Sequence, residues 1–282
     1  MFLREVMKSS FATFRRKRLL KSFRKSGSKP WTRGYQLYKW DNIGRVISSS
    51  VSFYDLLGVE RFGWRIDERI VEYGWFFEKL QREPALMLDA GSALNHEILL
   101  GHEKLRNKKL FISTLAPEST AFWQRGISYV FEDLRTTCFR EMMFDCICCI
   151  STIEHVGLDN TILYTCDQGK KENRPEDYLP LVEVLHSLLK PGGSLYLTLP
   201  FGKAKNHGWF QVFDSEMVSS LVDRFGPGRH TEEIFQYSGD CWQLSSRQQA
   251  KHATCFDINV QKTYDSDCAA FSRAVACLEL VR

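Results

Sequence analysis

No stretch of 18 or more apolar residues occurs in the 282-residue chain, so no segment is expected to cross a bilayer as a helix. The first residues also lack an apolar run long enough for a secretory signal, which sets the expected location in the cytoplasm. The nine cysteines are odd in number, and Cys146, Cys148 and Cys149 sit inside the apolar run 144–150. That disfavours a disulfide framework and reads as free thiols in a buried strand, in a reducing compartment. No matching Cys or His pair follows at finger spacing, so no metal site is expected. Internal repeats are absent. So is the three-glycine G-x-G-x-x-G signature, because Ala93 stands where its second glycine would fall; a pyrophosphate cradle is therefore disfavoured.

What is there is an ordinary globular composition, 44% hydrophobic and 26% charged, at a length that fits one α/β domain with additions. The charge is unevenly placed. Residues 1–30 hold ten Lys/Arg and a single acid, a charge of +9, against −5 for the remainder. Leu3, Met7, Phe11 and Phe14 recur at helical spacing among these basic residues, so residues 1–28 read as a basic amphipathic arm. Such an arm suits a polyanion: an anionic membrane, on whose inner face the protein would then be peripheral, or nucleic acid or an acidic glycan. A solvated tail and a mitochondrial transit peptide are the plainer alternatives.

Residues 29–84 read as a linker and an N-terminal helical cap: an aromatic-rich linker and lid over 26–50, then an amphipathic helix over 64–81 closed by Pro84. Strands and helices then alternate over 85–282. Strands are expected at 86–89, 110–114, 127–131, 144–150 and 194–199, and helices at 96–106, 117–125, 178–189 and 214–225, the last capped by Asp214. Strands over 231–237 and 274–280 close the chain. This alternation predicts a Rossmann-like, mostly parallel sheet of seven strands with helices on both faces.

Four segments carry the chemistry. Leu86-Met87-Leu88-Asp89-Ala90-Gly91-Ser92-Ala93-Leu94-Asn95 ends a strand on an acid and a glycine turn. Glu132-Asp133-Leu134-Arg135 follows the third strand, Ser151-Thr152-Ile153-Glu154-His155-Val156 the fourth, and Lys190-Pro191-Gly192-Gly193 joins a helix to the fifth. In this order the chain resembles the class I S-adenosylmethionine-dependent methyltransferases over roughly residues 60–282. It looks closest to a branch among bacterial surface-polysaccharide enzymes. The resemblance implies S-adenosylmethionine as cofactor, an antiparallel last strand, and methyl transfer to a hydroxyl of a glycan or glycan precursor. On matched positions it implies that Asp89, Gly91, Ser92, Asn95 and Glu154 shape the methionine end. Asp133 and the backbone of Leu134 would take the adenine. The family's ribose-binding acid falls here on Thr114, an uncharged and weaker partner, which Glu118 replaces only if its loop folds back.

A hydroxyl acceptor needs a base, and His155 is the best-placed imidazole. His207, Trp209, Phe210 and Gln211, with Tyr164 and the aromatics of 31–40, are candidates to line an acceptor pocket. Two rival functions stay open: a methyltransferase-like partner without activity, motivated by Ala93 and Thr114, and a nucleic-acid methyltransferase guided by the basic arm. No Asn-Pro-Pro-Tyr-type segment follows the fourth strand, which counts against methylation of a base amino group.

Overall fold

The structure is a computed structural model that describes residues 2–165 and 167–282, with side chains from Phe14 onward. Helix α1 (Phe2–Lys25) is followed by α2 (Tyr35–Ile47), α3 (Phe53–Leu57) and α4 (Arg69–Lys79). The remaining elements are β1 (Ala85–Ala90), α5 (Glu97–Leu100), β2 (Lys108–Thr114), β3 (Ser128–Phe131), β4 (Phe144–Ile150), α6 (Thr161–Tyr164), α7 (Tyr178–Leu188), β5 (Leu189–Pro200), β6 (Lys205–Asn206), β7 (Gln211–Val212), α8 (Ser215–Phe225), β8 (Arg229–Ser238), β9 (Cys241–Ser245), α9 (Arg247–Ala250) and β10 (Ala274–Val281). The main sheet runs β3-β2-β1-β4-β5-β10-β8-β9; β1 to β5 are parallel, and β10 is antiparallel to both its neighbours. This is the expected Rossmann-like fold with its antiparallel last strand. It has eight strands rather than seven, because β8 turns back through Asp240 (φ 65°) into the edge strand β9.

The side-chain period of two builds two cores from the same strands. Met87, Cys146, Cys148, Ile150, Tyr196, Val275 and Cys277 face α4, where Trp75 and Phe76 are wholly buried. Leu88, Ile147, Cys149, Leu195, Leu197, Ala276 and Leu278 face Leu181, Val182 and Leu185 of α7 and Val218 and Leu221 of α8. The three strand cysteines are core residues, as their apolar setting indicated. Asp214 caps α8 by accepting from the backbone of Glu216 and Met217.

Four expected elements differ. The segment 26–50 is no linker: it contains α2, whose Tyr35, Ile43 and Ile47 are buried. The helix expected from residue 64 starts at Arg69, since Arg65 sits at φ 55°. The helix expected over 96–106 stops at Gly101 and leaves only a 3₁₀ turn at Glu103–Leu105. No α-helix forms over 117–125. There Asn95 Nδ2 binds Glu118 Oε2 at 2.6 Å and the Thr120 carbonyl at 2.9 Å, while the Tyr129 hydroxyl accepts from the Phe122 N–H at 2.8 Å. Those tertiary bonds take the groups a helix would use.

The sequence stripe of the arm at Leu3, Met7 and Phe11 lies outside the described side chains; Phe14 is 65% exposed. Phe23, near the helix's end, is wholly buried against Tyr35 and Tyr38, so the last turn of α1 is anchored on α2.

Candidate functional site

The strand order reverses between β1 and β4, and a ligand crevice is expected beyond the carboxyl ends of such a pair. A cavity of about 420 Å³ lies there, within the range of small-molecule sites. Gly91 after β1, Thr114 at the end of β2, Asp133 and Leu134 after β3, and Glu154 and His155 after β4 all line it. Six of the nine residues assigned from the sequence are therefore brought together. Asp89, Ser92 and Asn95 are not in its lining.

Those three residues shape the turn instead. Asp89 is wholly buried and accepts from the backbone N–H of Ala93 at 3.1 Å and of Leu94 at 2.8 Å. Burial pushes its carboxyl up to about 7, with these two N–H donors pulling the other way. Asn95 points to the loop after β2, where it holds Glu118, so Glu118 does not fold back to the cavity. Gly91 adopts φ 116°, and a Cβ there would meet Thr152 Oγ1 at 2.1 Å. Glycine is required on both counts.

Several polar atoms around this site are buried without a protein partner: Thr114 Oγ1, Glu154 Oε2 and Asn160 Oδ1 in the lining, and Ser92 Oγ in the turn. Unmatched buried polar atoms are costly, and four in one place mark a surface built to meet a ligand. Asp133 is engaged differently. Arg135 donates to it from its backbone at 2.9 Å and from its guanidinium at 2.6 Å, and also reaches Glu172 at 2.9 Å. Burial alone would raise the Asp133 carboxyl, but Arg135 outweighs it and holds it below the usual range. The Arg135 backbone, Nε and Nη2 together make four bonds to the two carboxylate oxygens, so a further donor shares an oxygen that Arg135 already engages.

His155 is fixed by Trp209, whose carbonyl lies 2.8 Å from Nδ1. A carbonyl only accepts, so Nδ1 carries the proton and Nε2 keeps a free lone pair. Burial pushes this imidazole down to about 4, which keeps it neutral at pH 7. Nε2 lies 3.9 Å from Glu154 Oε1, and burial pushes Glu154 up to about 8. Of the acceptor-side aromatics expected, Trp31, Tyr164 and Trp209 line the cavity. His207 and Phe210 stack on each other at 4.3 Å outside the lining, and Gln211 bonds the Pro175 carbonyl.

The sequence reading missed the floor of the site. Lys39 Nζ lies 2.6 Å from Asp67 Oδ2, and Arg69 Nη1 lies 3.1 Å from Glu72 Oε2. Glu72 is wholly buried and accepts from Ser151 Oγ and Thr198 Oγ1, each at 2.6 Å, which ties α4 to the ends of β4 and β5. A signal existed: Glu68, Glu72 and Trp75 follow helical spacing, so these acids share a face with a large apolar side chain.

The buried acids set a pH dependence. Protonated Asp89 and Glu154 are favoured in the folded state, since their carboxyls are raised to about 7 and about 8. Their contribution is complete below the unfolded carboxyl pKa of about 4 and is lost as pH rises through the folded values. His96 and His155, lowered to about 4 by burial, oppose this only below their unfolded pKa of about 6.5. The melting temperature of the ligand-free protein should therefore fall from about pH 6.5 to about pH 8.5, and Glu154→Gln should flatten the slope. A melting temperature that rises over this window would contradict the placement of these acids.

No protein-family model matches the chain, and neither does any curated protein. Among solved structures it is similar to a SAM-dependent methyltransferase from Archaeoglobus fulgidus, at 11% identity and TM-score 0.48, covering 77% of this chain and 96% of that one. It is also similar to Burkholderia thailandensis 1,6-didemethyltoxoflavin-N1-methyltransferase with bound 1,6-didemethyltoxoflavin and S-adenosylhomocysteine, at 12% identity and TM-score 0.44, covering 97% and 89%. A third is the N-methyltransferase NodS from Bradyrhizobium japonicum WM9 in complex with S-adenosylhomocysteine, at 14% identity and TM-score 0.41, covering 86% and 98%.

Proposed function

We propose that this chain transfers a methyl group from S-adenosylmethionine to a small-molecule acceptor seated in the same cavity. The observation that carries this is the set of orphaned buried polar atoms at the switch point, Thr114 Oγ1, Glu154 Oε2, Asn160 Oδ1 and Ser92 Oγ. The residues present fit the cofactor. Gly91 leaves space beside Thr152, Thr114 offers a hydroxyl toward the ribose, and Asp133 with the Leu134 backbone serves the adenine. Arg69 and Glu154 lie in the same lining, a guanidinium and a carboxyl for the two ends of the zwitterionic methionine moiety. When bound, the cofactor supplies a methyl group on a sulfonium, which needs no nucleophile from the protein. The chain's own part is to hold the acceptor in line and to receive its proton at His155 Nε2. The acceptor class implied by the resemblance, a hydroxyl of a glycan or glycan precursor, would use His155 in the same way.

Variants at Asp133 test the cofactor placement. Asp133→Ala should weaken S-adenosylhomocysteine binding at least tenfold, about 1.4 kcal/mol. Asp133→Asn should weaken it by less, because the amide still offers an oxygen. Calorimetric titration reads both; wild-type affinity in the two variants would place the adenine elsewhere.

The arm is read as a membrane contact. Arg15, Arg16, Lys17 and Arg18 of α1 are exposed together with Phe14, a mixture of charge and apolar surface that favours an anionic bilayer. Because Phe23 is anchored, the informative truncation removes residues 1–18 and stops short of it. That truncation should melt like the full chain, since it loses at the fold's edge only surface pairs such as Arg16 with Asp41. It should no longer sediment with phosphatidylserine vesicles. Undiminished sedimentation would contradict the assignment.

A further inference from the structure

We infer that the acceptor is an amine that enters as a cation, held by Glu68 among the rings of Trp31, Trp209 and Phe271 while Glu154 serves the cofactor; this rests on the cofactor placement proposed above. The cations in the cavity lining are already committed. Lys39 faces Asp67 at 2.6 Å, Arg69 faces Glu72 at 3.1 Å, and Arg135 faces Asp133 at 2.6 Å. Glu68 and Glu154 have no such partner. Glu68 is 6% exposed and accepts from the Ser272 N–H at 3.1 Å. Glu154 is 2% exposed and its Oε2 has no partner at all.

Two buried carboxylates without cations are unfavourable in a low-dielectric site. Burial first, and neighbouring carboxylates second, raise Glu68, and burial likewise raises Glu154. The cofactor brings a net charge of about +1, a sulfonium beside a zwitterionic methionine, and so answers one of the two acids. A positive charge on the acceptor answers the other. A neutral sugar hydroxyl leaves it protonated, whereas a cation ionises and pairs it.

The rings are positioned for such a guest. Trp31 Nε1 is pinned to the Ala270 carbonyl at 2.5 Å, and Trp209 Nε1 to Asp257 Oδ2 at 3.2 Å. Phe271 sits 6.0 Å from Trp209 between ring centroids. With the indole N–H groups engaged elsewhere, these side chains offer apolar and π surface to the cavity they line; Lys39 Nζ lies 5.8 Å from the Trp31 ring centroid, so Trp209 and Phe271 carry most of the π contact. The reaction balances within this arrangement. The ammonium gives one proton to His155 Nε2; burial opposes that imidazolium, so the transfer needs Glu154 Oε1, 3.9 Å away, to be ionised and stabilise it. The freed nitrogen lone pair forms the new N–C bond as the C–S bond breaks with its electrons on sulfur. The methylated ammonium leaves, and the imidazolium returns its proton to water.

The experiment titrates the full chain, saturated with S-adenosylhomocysteine, with tryptamine, tryptophol and indole-3-acetate, and in parallel with phenethylamine, 2-phenylethanol and phenylacetate. Within each series the ring is shared and the charge differs. Calorimetry should show the amine binding at least about tenfold more tightly than the alcohol, with the carboxylate weakest. Glu68→Gln should erase that preference while S-adenosylhomocysteine affinity stays within about threefold of wild type, and Trp31→Leu should weaken the amine more than the alcohol of the same series. An alcohol or carboxylate that binds as well as the amine, amines that do not bind, or a preference that survives Glu68→Gln each overturns the inference. Wild type that takes up no S-adenosylhomocysteine would instead remove the methyl-transfer reading, and this inference with it.

Discussion

Alanine at position 91 should lower S-adenosylhomocysteine affinity at least a hundredfold, about 2.7 kcal/mol. The added Cβ would lie 2.1 Å from Thr152 Oγ1 and 2.3 Å from Thr152 Cγ2, at φ 116°, where an alanine is strained even in open space. Relief requires either the β1 turn or the start of the β4 loop to move, and the two together form the wall of the cavity. Calorimetry on a variant that still melts cooperatively is the measurement. Affinity within threefold of wild type would mean that this wall does not face the cofactor. Asp89 acts on the same turn from behind, through Ala93 and Leu94, so Asp89→Ala should also weaken binding, by way of the backbone rather than a lost ligand contact.

His155→Asn should lower kcat by roughly a hundred- to ten-thousand-fold while S-adenosylhomocysteine affinity holds within about threefold. Asparagine keeps a donor for the Trp209 carbonyl, so the loop stays tethered, and only the lone pair at Nε2 is removed. Release of S-adenosylhomocysteine, assayed with the tightest-binding acceptor of the amine series, reads the effect. Unchanged kcat would assign the proton to another group or to water, and would leave His155 a role in holding the Trp209 loop.

Most of the fold was legible because strand periodicity is a local signal. Met87 and Leu88 alternate in the sequence and separate onto opposite faces of the sheet, each into its own core. Asp214 caps its helix through bonds only two and three residues away. Where the reading failed, distant residues decided the outcome. Helix did not form over 117–125 because Asn95 and Tyr129 hold that loop. The cofactor-side residues were legible to the extent that they follow strand ends, which the topology brings together. The acceptor side was not, because Trp31 reaches Ala270 across 239 residues, and Glu68 finds Ser272 across 204. The amphipathic pattern over 64–81 marks the apolar side of that helix and gives no sign that Glu72 is wholly buried under the strand ends. The segment 26–50 hid a helix because its Gly34 and aromatic residues look like a loop. Its apolar spacing, Tyr35, Ile43 and Ile47, becomes meaningful only against α4.

The central claim is that the orphaned polar atoms at the β1–β4 switch point await a cofactor. Titration of the full chain with S-adenosylhomocysteine, followed by a crystal structure of the complex, tests it most directly. The expected result is saturable one-to-one binding, with ligand polar atoms within hydrogen-bond distance of Thr114 Oγ1 and Glu154 Oε2 and the adenine beside Asp133. A cooperatively melting protein that gives no saturable heat, or a complex whose ligand leaves those oxygens unmet, would contradict it.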